Sequence, residues 1–127
     1  PGVTGTLLYV EDNPANLLLM EKIISRIEGL SLISAPSGEL GIELAKNSKP
    51  DLIILDVNLP GMSGIEVLQQ LRKYDDTSHT PIFALSAAAT ETDIEKGMDA
   101  GFDKYLTKPL VISEIVDAIC EALPSTR

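Results

Sequence analysis

Glu11 and Asp12 follow the apolar run Thr6-Leu7-Leu8-Tyr9-Val10, and Asp56 ends the run Leu52-Ile53-Ile54-Leu55. Carboxylates gathered in one crevice repel one another unless a cation or proton neutralises them. Such a set suits a hard divalent cation. Mg2+ takes one or two carboxylates, keeps several waters and completes its shell with phosphate oxygens. Asp56 and Asp12 are the expected direct ligands, with Glu11 reaching through water and the backbone carbonyl of Asn58 adding another donor. Asp56 is also a candidate nucleophile, because carboxylates form aspartyl-phosphate intermediates. Phosphoryl transfer needs mainly positioning and charge neutralisation. Lys108 would supply a mobile ammonium for the charge, and Ser86 a hydroxyl for a phosphoryl oxygen. Taken singly these residues are ordinary, since lysines usually lie on surfaces and serines commonly end strands. Together they are informative, because they fall at the carboxyl ends of different predicted strands.

The elements that must position them alternate strand and helix five times. Short, wholly apolar runs read as strands buried on both faces of a parallel sheet. The strands are expected at about Thr6 to Val10, Leu30 to Ala35, Leu52 to Asp56, Ile82 to Leu85 and Lys104 to Leu106. Asn13 is a good N-cap for the first helix, with Pro14 at its first position, where a missing N–H costs nothing. Leu17, Met20, Ile24 and Ile27 then recur at helical spacing. Pro36-Ser37-Gly38 leads into the second helix, and Asn58-Leu59-Pro60-Gly61 breaks the chain before the third. Thr90 with Asp93 has capping-box spacing for the fourth, which ends at Gly101. The fifth is expected to turn Ile112, Ile115, Ile119 and Leu123 inward, with Pro124-Ser125-Thr126-Arg127 fraying beyond it.

Strict alternation predicts an α/β, doubly wound five-stranded parallel sheet with helices on both faces. The expected flavodoxin-like order is 2-1-3-4-5, which sets the first and third strands side by side at the switch point where such sheets place their sites. Adjacent strands lie about 4.8 Å apart, so Glu11, Asp12 and Asp56 can share one pocket.

The 127 residues suit one domain, with a core over about 6–123. No apolar stretch approaches the roughly 18 residues needed to span a membrane, so no membrane contact by this domain is expected. A net charge of −9 and 4% aromatic residues argue against direct nucleic-acid binding. The single cysteine, Cys120, cannot form an internal disulfide, which fits a reducing cytoplasm. Its position reads as core-facing, a buried structural thiol.

The segments Glu11-Asp12, Asp56-Val57-Asn58-Leu59-Pro60-Gly61-Met62-Ser63-Gly64, Ser86-Ala87-Ala88 and Lys104-Tyr105-Leu106-Thr107-Lys108-Pro109 together resemble the receiver domain of bacterial two-component response regulators, from about Leu7 to Leu123. Glu11-Asp12-Asn13-Pro14-Ala15-Asn16 further resembles receivers joined to hybrid sensor histidine kinases. The start at Pro1-Gly2 without an initiator Met leans the same way, toward a piece of a larger protein that could be membrane-attached, with linker remnants at its ends. The resemblance implies that Asp56 accepts a phosphoryl group from a phosphohistidine on a histidine kinase or phosphotransfer domain. Glu11, Asp12, Asp56 and the Asn58 carbonyl would hold Mg2+, and Lys108 would pair with the phosphoryl group. Ser86 would move to hydrogen-bond that group, and Tyr105 would change rotamer with it. The signal would reach the face of the fourth helix, fifth strand and fifth helix, which is also the expected dimer surface. The resemblance also implies a cis Lys108–Pro109 bond and an open acyl phosphate beside the small Ala87 and Ala88. Glu11 departs mildly from the Asp commonest at its position.

Other classes fit less well. The Gly-rich loop with Lys and Ser or Thr of a P-loop NTPase is missing, and Glu11-Asp12 would repel the phosphate of a flavin nucleotide. An aspartate-nucleophile phosphatase would want a second acid where Asn58 stands. A receiver-like binding module that works without phosphorylation would not need the complete set.

Overall fold

The computed structural model describes residues 4–87 and 90–123. Among them five strands alternate with five helices: β1 (Gly5–Val10), α1 (Pro14–Ser25), β2 (Leu30–Ala35), α2 (Gly38–Ser48), β3 (Leu52–Asp56), α3 (Gly64–Leu71), β4 (Ile82–Ser86), α4 (Glu91–Ala100), β5 (Lys104–Thr107) and α5 (Ile112–Ala122). All pairings are parallel, in the order β2-β1-β3-β4-β5. This is the architecture and strand order that the alternation predicts. Ala88 and the Pro124-Ser125-Thr126-Arg127 tail lie outside the described residues.

Every residue of β3 and β4 is buried. Full burial of one large aliphatic side chain contributes about 1.5–3 kcal/mol, so Ile53, Ile54 and Leu55 fix β3 at the centre and Asp56 at its mouth. Side chains alternate between two cores. Leu7, Tyr9 and Ile54 join Met20, Ile23 and Ile24 of α1 and Ile115, Ala118 and Ile119 of α5. Leu8, Val10, Ile53, Leu55, Ile82 and Ala84 join α2 and α3 through Ala45, Val67, Leu68 and Leu71.

Local signals start the helices where the site needs them. Asn13 Oδ1 accepts the N–H of Ala15 at 2.9 Å and of Asn16 at 3.3 Å, so α1 begins directly after the acid pair. Ser63 and Glu66 form a capping box on α3, and Thr90 caps α4 by accepting the Asp93 N–H. Arg72 ties the segment before β4: its guanidinium donates to the carbonyls of Thr77, Ser78 and Thr80 and pairs with Asp103 at 3.0 Å.

Two expectations about α5 are corrected. Cys120 is exposed, not core-facing. The buried stripe runs through Ile115, Ala118 and Ile119, and Cys120 falls one residue, or about 100° of helix, beyond it. Ile112 has the phase of that stripe but is 45% exposed. It stands in the first turn of α5, one turn before burial begins at Ile115.

The segment leaving β3 is held close to α3. A Cβ on Gly64 would lie 2.7 Å from Val57 Cα and 2.9 Å from the Asp56 carbonyl oxygen, both backbone atoms that cannot swing aside. Gly64→Ala is expected to destabilise the fold by about 2–3 kcal/mol, the upper part of the usual overpacking cost. A urea midpoint unchanged from wild type would contradict that contact.

Candidate functional site

The register assembles the site. Val10 pairs with Leu55, so one residue further on Glu11 stands beside Asp56. Asp56 lies opposite Leu85, and Ser86 opposite Thr107, which puts Lys108 just past the adjacent strand end. The two-residue repeat of a strand then sorts these side chains by face. Glu11 continues the Leu7 and Tyr9 side of β1, Asp56 the Ile54 side of β3, and Lys108 the Leu106 side of β5, all in the core against α1 and α5. Ser86 continues the Ile82 and Ala84 side, where Tyr105 packs.

Lys108 Nζ lies 3.0 Å from Asp56 Oδ2 and 3.3 Å from Glu11 Oε1. Both carboxylates are buried, whereas Asp12 is exposed. Asp56 Oδ1 accepts the backbone N–H of Asn58 at 2.9 Å, and the Asn58 amide donates to Ser86 Oγ at 3.4 Å. Among the described residues Glu11, Asp12 and Asp56 form a group that could hold a metal ion, with one ligand atom from each lying within 4.8 Å of the others. Two buried oxygen donors and one open to solvent fit Mg2+, a hard cation that retains waters.

Neutralisation without a cation is uneven. Burial raises the Glu11 carboxyl above its ordinary value, a hydrogen bond shared with Asp56 adds to this, and the Tyr9 hydroxyl and Lys108 only partly offset it. Burial also pushes Asp56 upward, but the hydrogen bond with Glu11, the Asn58 N–H and Lys108 outweigh it and hold Asp56 below its ordinary value. Burial would lower Lys108, yet its contacts with Asp56 and Glu11 prevail and raise it. Glu11 is therefore the acid that keeps a proton to higher pH, and Asp56 the one that stays ionised beside the ammonium.

The sequence reading missed two residues here. The hydroxyl of fully buried Tyr9 donates to Glu11 Oε1 at 2.8 Å, and the Asn16 amide donates to the same oxygen at 3.2 Å. The signal was present: Tyr9 precedes Glu11 by two residues in a strand and so leaves on the same face. Tyr105 stands apart from the acids. Its half-buried ring lies against α4, where a Cβ on Gly97 would be 2.6 Å from Cδ2. The Lys108–Pro109 bond is cis.

Among the described residues no helix is long and apolar enough to cross a membrane. Comparison with known proteins is unambiguous about kinship. The polar-differentiation response regulator DivK of Brucella ovis is 32% identical over 117 residues, 92% of this chain and 94% of its own. The structure of the chemotaxis response regulator CheY4 of Vibrio cholerae superposes with a TM-score of 0.87 at 23% identity, over 94% of this chain and 99% of that one, and so speaks for the fold. The receiver domain of the sensor histidine kinase PA1611 from Pseudomonas aeruginosa PAO1 was solved with a magnesium ion coordinated in its active site cleft. It gives a TM-score of 0.83 at 28% identity, over 91% of this chain and 94% of that one. Residues 7–120 match the response regulator receiver domain, and the chain belongs to that family.

Proposed function

We propose that Asp56 accepts the phosphoryl group by which this receiver signals, taking it from a phosphohistidine on a histidine kinase or histidine phosphotransfer domain. The observation that carries this reading is the bridge from Lys108 to buried Asp56 and Glu11, at 3.0 and 3.3 Å, beside exposed Asp12. An Asp56 carboxylate oxygen attacks phosphorus, the phosphorus–nitrogen bond breaks, and the imidazole leaves with the electron pair and is protonated from solvent. Glu11, Asp12, Asp56 and the Asn58 carbonyl are the residues that would hold Mg2+, which when bound supplies positive charge to the phosphoryl oxygens. Lys108 exchanges its carboxylate partner for the new phosphoryl oxygens. Ser86, already bonded by the Asn58 amide, turns its hydroxyl to the same group.

The chain assists its own phosphorylation and dephosphorylation and turns over no separate substrate. Asn58 supports that division, since it offers an amide where a phosphatase would place a second acid. Tyr105 follows Ser86, so that the α4, β5 and α5 face presents the signal to a partner or to a second copy. This is a local charge event biasing a bistable surface. A hybrid kinase is a fitting parent, given the likeness to the PA1611 receiver.

Acetyl phosphate or a phosphohistidine donor with Mg2+ is expected to add one phosphoryl group, seen by intact mass as an acid-stable, base-labile adduct that a chelator prevents. No adduct with either donor would sink the phosphoacceptor reading and favour a binding module that works without phosphorylation. Turnover of small phosphate esters would instead favour a phosphatase.

A further inference from the structure

Glu11 raises a geometric difficulty. Its side chain is one methylene longer than Asp, and it leaves a buried strand end directly beside Asp56. An untethered arm of that length has several rotamers to choose from, and ordering them costs entropy. The structure restrains it mainly through one oxygen. Oε1 receives the Tyr9 hydroxyl at 2.8 Å, the Asn16 amide at 3.2 Å and Lys108 Nζ at 3.3 Å. Oε2 receives the backbone N–H of Asn13 at 3.3 Å. A carboxylate offers about four lone-pair sites over its two oxygens, so Oε1 is filled and Oε2 retains acceptor capacity. Tyr9 is the firmest of the three donors to Oε1: it is rigid, wholly buried and closest.

We propose that Tyr9, assisted by Asn16, is a positioning residue of the cation site: it anchors Oε1 of Glu11 against β1 and α1, so that the longer acid presents Oε2 to the crevice it shares with Asp12 and Asp56. The proposal rests on the Mg2+ site proposed above. It predicts an energetic coupling, because the tether matters only while the side chain at position 11 is long enough to reach it.

The test is a double-mutant cycle read as Mg2+ affinity by titration calorimetry on wild type, Tyr9→Phe, Glu11→Asp and the double variant. Tyr9→Phe alone is expected to weaken Mg2+ binding about tenfold, the lower end of the usual range for groups that orient a metal ligand. In the Glu11→Asp background the same change should cost less than about twofold, since the shorter acid has no bond to Tyr9 to lose. Equal losses in both backgrounds would overturn the proposal, because Tyr9 would then act through the core at large, and so would an unchanged affinity for Tyr9→Phe. Asn16→Ala, a half-buried surface change that should leave the core intact, is the second probe if Tyr9→Phe folds poorly. It should follow the same pattern with a smaller loss, and equal effects in the two backgrounds would again count against the tether. Wild type that binds no Mg2+ would sink the underlying site itself, a result distinct from any of these.

Discussion

Asp56→Asn is expected to remove the phosphorylated species entirely, with either donor and at any Mg2+ concentration. The amide is nearly the same size and its oxygen can still accept the Asn58 N–H, a bond of 2.9 Å in the wild type. The fold should therefore persist. Its nitrogen has no lone pair to offer phosphorus, and the negative charge opposite Lys108 is gone, so both the nucleophile and its activation are lost. Among the described residues the other carboxylates grouped with it are Glu11, tied by Tyr9 and Asn16, and exposed Asp12. Intact mass after donor treatment, with circular dichroism to check folding, decides the matter. A folded variant that still gains a phosphoryl group would place the acceptor elsewhere.

The second large effect separates Asp12 from Lys108. Asp12→Ala removes the exposed acid of the cluster and should weaken Mg2+ binding on the order of a hundredfold, about 2.7 kcal/mol. That is below the roughly 4 kcal/mol between unit charges 4 Å apart at an effective dielectric of 20, as the open side of the pocket requires. Lys108→Ala should leave the affinity equal or higher, because it removes a cation that already neutralises the same acids. Similar losses in the two variants would contradict these roles.

Lys108→Ala should instead cost stability in the absence of Mg2+, about 1–3 kcal/mol at neutral pH. A lysine 21% exposed should cost less than the 3–5 kcal/mol of breaking an enclosed pair. The sign with pH follows from linkage. The depressed Asp56 contributes stability above its ordinary 3.8 and loses it as pH falls through its folded value. The raised Lys108 contributes stability below its ordinary 10.5 and loses it as pH rises through its folded value. The raised Glu11 opposes both, costing stability as pH rises above its ordinary 4.5. The melting deficit of Lys108→Ala should therefore shrink as pH falls, first as Glu11 takes up its proton and fully only below 3.8, where Asp56 does. A deficit independent of pH would mean that Lys108 matters for packing alone.

Much of this was readable from the chain. Apolar runs ending in Asp56, Ser86 and Glu11-Asp12 announce strand ends, and a parallel sheet leaves few ways to order five of them. What one sequence hides is the third dimension of each side chain. Cys120 reads as core-facing from its helical position, but a single step around the helix past Ile119 turns it out. Tyr9 looked like core, and by area it is core. The two-residue spacing sets it on the face of Glu11, and the 2.8 Å distance shows that its hydroxyl reaches that carboxylate. Arg72 carried no motif at all, because its partners are Asp103, 31 residues away, and carbonyls of a segment whose path the sequence does not state.

The sorting of side chains by sheet face has an evolutionary consequence. Glu11, Asp56 and Lys108 extend one layer of the molecule, and Ser86 and Tyr105 extend the other. In the proposed function, the layers meet at the rim, where Asn58 links Asp56 to Ser86. Mutations can then drift in one compartment without being felt in the other. Duplicated copies of such a chain could acquire new listeners by changing the Tyr105 side while inheriting their reactive side untouched. The sheet works as an insulator as much as a scaffold, and the strand-end rim is where the two sides connect.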